Sequence, residues 1–81
     1  MLTKQDKLIL FGAACAKARI KGAEIPEQAK ELFKRFYTDE GPISEEDISA
    51  GLREVILAIH YVTPGGYTLL DLIEEMEFRT E

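Results

Sequence analysis

Residues 44–61 read SEEDISAGLREVILAIHY, and this stretch decides the fold class. Ile48, Leu52, Val55, Ile56 and Ile59 recur at spacings of three and four, the period of a helix with one buried face. Ser44 stands where an N-cap hydroxyl accepts a free backbone N–H, and Asp47 follows three residues later, where a carboxylate complements the positive helix end. A helix over Glu45–Tyr61 follows.

The same signature occurs twice more, as Thr3-x-x-Asp6 and Thr68-x-x-Asp71. These predict helices over Lys4–Lys21 and Leu69–Phe78. A fourth helix, Pro26–Tyr37, starts at a proline, whose fixed φ and missing N–H suit the first helical position. Gly22, Gly41 and Gly65-Gly66 mark the breaks. Val62–Tyr67 has the look of a short extended piece, but no second strand is visible to pair with it. The reading is all-α: a single compact four-helix domain over residues 1–81.

Each helix has its own pattern. Helix 1 reads as apolar nearly all round, with Leu8, Phe11 and Cys15 on one side and Ile9, Ala13, Ala16 and Ile20 on another. That predicts a central position or burial at a subunit interface. Gly12–Ala16 has no bulky side chains and invites close approach of another helix. Helix 2 carries one stripe, Ala29, Leu32, Phe33 and Phe36. Helix 4 offers Leu69, Leu72, Ile73 and Met76.

Composition limits the function classes. The chain has 81 residues, 46% hydrophobic and 31% charged, which suits one modest folded core. A single cysteine excludes an internal disulfide framework and fits a reducing, cytoplasmic setting. The longest apolar run, Leu8–Ala16, is nine residues, against roughly 20 for a bilayer span, so no membrane role is expected. Lys4, Lys7 and the run ending at Cys15 are read as a buried helix segment and not as a lipoprotein signal, because Asp6 interrupts the positive charges and the apolar run is short.

Charge is divided by position. Residues 1–37 carry eight Lys/Arg against four Asp/Glu, and residues 38–81 carry two against eleven, a split of +4 and −9. Charge at helix ends explains part of it through the macrodipole. Glu74, Glu75 and Glu77 are unexplained, since they crowd a helix C-terminus, where anions are disfavoured.

No motif for catalysis, cofactor or metal emerges. His60 is the only histidine and has no second soft ligand nearby. Cys15 lies mid-helix, without an activating base or cation. Residues 36–47 resemble an EF-hand loop from Gly41 onward, yet Phe36 occupies the first ligand position and Thr38 the third, so calcium binding is not expected. The glycines lack P-loop spacing.

The expected function is therefore non-enzymatic. A small intracellular adaptor, regulator or inhibitor would act by contact with a basic protein partner, using Glu74, Glu75, Glu77, Leu57, Tyr61 and Tyr67. Self-assembly as a homodimer is the first alternative. Nucleic-acid contact through Lys17, Arg19 and Lys21 is the second, weakened by the acidity of the whole chain. Phage-encoded inhibitors and bacteriocin-type immunity proteins share this size and acidity, a likeness of composition only.

Overall fold

The computed structural model describes residues 2–38 and 43–76, apart from the side chains of Phe36 and Tyr37. Four helices follow in order: α1 (Lys4–Lys21), α2 (Glu27–Thr38), α3 (Glu45–Val62) and α4 (Leu69–Glu75). There is no strand among the described residues.

Local chemistry sets the helix starts. Thr3 Oγ1 accepts from the Asp6 N–H and Asp6 Oδ2 from the Thr3 N–H, a closed capping box; Thr68 and Asp71 repeat it on α4. Ser44 Oγ accepts from the Asp47 N–H at 3.1 Å and caps α3. α2 starts one residue later than expected, with the Pro26 carbonyl accepting from the Lys30 N–H at 3.0 Å. α1 stops at Gly22, whose φ of 74° is left-handed. The Ala23 N–H reaches the Ala18 carbonyl and the Gly22 N–H that of Arg19, the Schellman closure that glycine makes cheap. The stretch after Val62 is a turn, in keeping with the break read at Gly65-Gly66: the Gly66 N–H donates to the Thr63 carbonyl, and Gly65 and Gly66 both have positive φ.

α1 and α3 form the spine of the domain. They share the largest helix–helix contact, α2 packs on α3, and α4 packs on α1. One core runs through all four helices, including Leu10, Phe11, Ala14 and Ala18 of α1, Leu32 of α2, Ile48, Leu52, Val55 and Ile59 of α3, and Leu72 of α4. Phe33 packs on it from α2, its ring 6.1 Å from that of Phe11.

The pattern on α1 corrects the sequence reading. Its buried line is Leu10, Phe11, Ala14, Cys15 and Ala18, whereas Ile9 and Ile20 are 44% and 81% exposed. α1 is central but one-sided. Close approach also falls elsewhere than at Gly12, which has open space beside it. It occurs at buried Gly51 of α3, where a Cβ would lie 2.8 Å from Leu32 Cδ2 and 3.1 Å from Phe11 Cε1. The missing side chain there lets α1, α2 and α3 meet.

The domain measures 37 × 31 × 17 Å, less than two helix diameters through its thinnest dimension. Among the described residues, no further layer covers the outer side of α3.

Candidate protein-contact surface on helix 3

The core stripe of α3 leaves Arg53, Leu57, His60 and Tyr61 on the opposite side, all exposed. Leu57 and Tyr61 are 49% and 78% exposed, one turn apart. With Ala58, Val62 and Pro26 they line a groove of about 600 Å³, bordered by the carboxylates of Glu24, Glu27 and Glu54. Glu54 comes from α3 itself, Glu24 from the α1–α2 connection and Glu27 from the first turn of α2. Among the described residues, none of these three carboxylates has an ion pair. The structure thus joins an apolar floor to an unneutralised acidic border.

On the other flank of Leu57 lies a second groove, of about 590 Å³. Its walls include Leu52, Ile56, Leu57, His60 and Leu69, and its charged members are Lys7 and Arg53. Lys7 is held by Glu45 at 2.9 Å, which keeps the Glu45 carboxyl below the usual range.

At the acidic end of helix 4, Glu75 is engaged within the chain. Glu75 Oε2 accepts from the Tyr67 hydroxyl at 2.7 Å, and its Oε1 from Lys17 Nζ at 3.1 Å. Lys17 Nζ also lies 5.9 Å from the Tyr67 ring centroid. The charge of Glu75 is met by helix 1 of the same chain. Tyr67 is corrected with it: at 6% exposure the ring belongs to the core, not to a contact surface. Its main chain is clasped too, with the Tyr67 N–H 2.9 Å from His60 Nδ1. The His60 ring covers Gly66, where a Cβ would come within 2.6 Å of Cε1.

Glu74 is exposed, and Glu77 lies outside the described residues, as do residues 39–42 of the EF-hand-like loop. Lys17 turns to Glu75, while Arg19 and Lys21 stay exposed in the last turn of α1. Cys15 is buried, and burial pushes its thiol up to about 11, so it is a poor nucleophile at neutral pH. No group of three or more metal-ligating side chains is found among the described residues, and no described helix is long and apolar enough to cross a membrane.

Leu57 and Tyr61 were legible from helical spacing, since both fall away from the core stripe. Glu54, three residues before Leu57, carried the same signal. Glu24 and Glu27 had none, because only packing brings the α1–α2 connection beside α3.

The Glu75 cluster makes a pH prediction. The Tyr67 hydroxyl first, and Lys17 second, hold the Glu75 carboxyl below the usual carboxylate range. Its contribution to stability is present above the unfolded-state value and is lost as pH falls through the folded one. Tyr67 is shifted upward, by burial first and by Glu75 second, so its contribution is present below the ordinary tyrosine value and is lost as pH rises. Thermal unfolding followed from pH 7 to pH 3 should show a falling midpoint with a shallower acid limb in Glu75→Gln. Identical acid limbs would refute the assignment.

Comparison with protein-family models, with curated proteins and with solved structures finds no match to this chain.

Proposed function

We propose that this protein is a non-catalytic, intracellular protein-contact module whose working surface is the outer face of α3. Its acidic groove receives an apolar side chain flanked by Lys or Arg from a partner. The observation that carries this reading is the pairing of exposed Leu57 and Tyr61 with the unneutralised border of Glu24, Glu27 and Glu54. Apolar anchors hold a complex through desolvation, and an acidic border steers a basic partner toward it and rejects an acidic one. The engagement of Glu75 by Lys17 and Tyr67 supports placing the surface on α3 rather than at the end of α4.

A synthetic amphipathic helix with leucine anchors and flanking lysines tests this by fluorescence anisotropy. It should bind at low salt and weaken at high salt, and a counterpart with glutamates for lysines should not bind. Tyr61→Ala should weaken binding by about tenfold, the scale of an aromatic anchor. Equal binding of the two peptides, or an unaffected Tyr61→Ala variant, would overturn the reading.

A further inference from the structure

Leu57 is a ridge between two grooves of opposite charge. Arg53 and His60 line one flank with Lys7; Glu54 and Tyr61 line the other with Glu24 and Glu27. Along the ridge, Ala50, Arg53, Leu57, His60 and Tyr61 are all exposed. Residues 50 and 57, seven apart, fall on one seam line of the helix, with Arg53 to one side of it and Glu54 to the other.

We propose that a second copy of this chain occupies this seam, α3 against α3, the two helices parallel about a two-fold axis running beside Leu57. The proposal rests on the reading above that the outer face of α3 is a contact surface, and it names the occupant. The cation that the acidic groove calls for is present on the other flank of the same helix, at Arg53, since Lys7 of α1 is already held by Glu45.

Charge selects the orientation. A two-fold axis parallel to the helices exchanges left and right, so the basic flank of each copy meets the acidic flank of the other. Arg53 then lies beside Glu54 of the second copy, and His60 beside Tyr61, each twice by symmetry. A two-fold axis perpendicular to the helices keeps left and right. It sets Glu24, Glu27 and Glu54 against themselves, and Arg53 likewise. Like charges so placed oppose association, and the parallel arrangement is left.

The symmetry has a cross-linking signature. On a parallel seam, residues 50 and 57 each lie opposite their own copy, within disulfide reach of roughly 4.4–6.8 Å between Cα atoms. Ala50→Cys and Leu57→Cys should each form a covalent dimer on mild oxidation, and Glu54→Cys should not. The native Cys15, buried with its thiol pushed up, stays silent in this assay. Linking through residue 57 but not residue 50 would overturn the parallel arrangement.

The unmodified chain supplies the independent measurement. Sedimentation at low salt should give a dimer that dissociates on adding salt. Arg53→Glu should weaken it by about tenfold or more, and Arg53→Glu with Glu54→Arg should restore it. A monomer at millimolar concentration and low salt overturns the pairing. If that monomer binds the lysine peptide, the contact-surface reading stands without the dimer; if it binds neither peptide, both fall.

Discussion

Phe11→Ala is expected to lower the free energy of unfolding by about 3–5 kcal/mol, through lost apolar burial and the cavity left behind. Phe11 is 2% exposed and stands at the junction of three helices. Its ring packs against Phe33 of α2 and borders Gly51 of α3, where no side chain exists to move into the space. Stability of about 0.05–0.15 kcal/mol per residue gives a chain of 81 residues about 4–12 kcal/mol in all. The loss is therefore a large share of the total and can leave the variant partly unfolded at 37 °C. Urea titration monitored by helical circular dichroism measures it, with Ile20→Ala as the control. Ile20 is 81% exposed, so that variant should stay within about 0.5 kcal/mol of the parent. A Phe11→Ala loss below 1 kcal/mol would mean that the three-helix junction does not form as described.

Tyr67→Ala should cost about as much, roughly 3–5 kcal/mol, for the same reason of aromatic burial. The tyrosine joins elements that no long helix connects. Its ring enters the core, its hydroxyl donates to Glu75 of α4, and its N–H reaches His60 of α3. Tyr67→Phe separates these contributions. It keeps the ring and the main-chain contact and removes one hydrogen bond to a half-exposed carboxylate that Lys17 still holds. That change should cost only about 1 kcal/mol. The two variants compared by denaturant unfolding give the ratio. If phenylalanine costs as much as alanine, the hydroxyl bond and not the buried ring anchors the turn.

The legible parts of this fold were those governed by neighbours in sequence. Thr3 with Asp6, Ser44 with Asp47 and Thr68 with Asp71 act over three residues, and all three hydroxyls cap as expected. The α3 stripe was equally plain, since its five apolar residues share one face. α1 was misread because alanines and aliphatic residues surround it. With little contrast between its faces, periodicity does not say which side another helix will take. Ile9 and Ile20 turned out to face water.

The candidate site divides in the same way. The outward position of Leu57 and Tyr61 followed from helical phase, but the internal engagement of Glu75 at the end of helix 4 did not. Glu75 meets Lys17 across 58 positions of sequence, and Tyr67 is buried by the same packing. Part of the charge split is answered inside the fold, through Lys7 with Glu45 and Lys17 with Glu75.

The sequence by itself determined that this chain is all-helical, where most of its helices begin, and which face of α3 is buried. Those properties depend on backbone hydrogen bonds and side-chain phase within a few residues. Only the tertiary structure decided which face of α1 is covered, that Glu75 and Tyr67 are occupied internally, and that Glu24 and Glu27 flank Leu57. Each of these depends on where separate helices come to rest: α1, α2 and α3 meet at Gly51, between Phe11 and Leu32, and α4 meets α1 through Glu75 and Lys17.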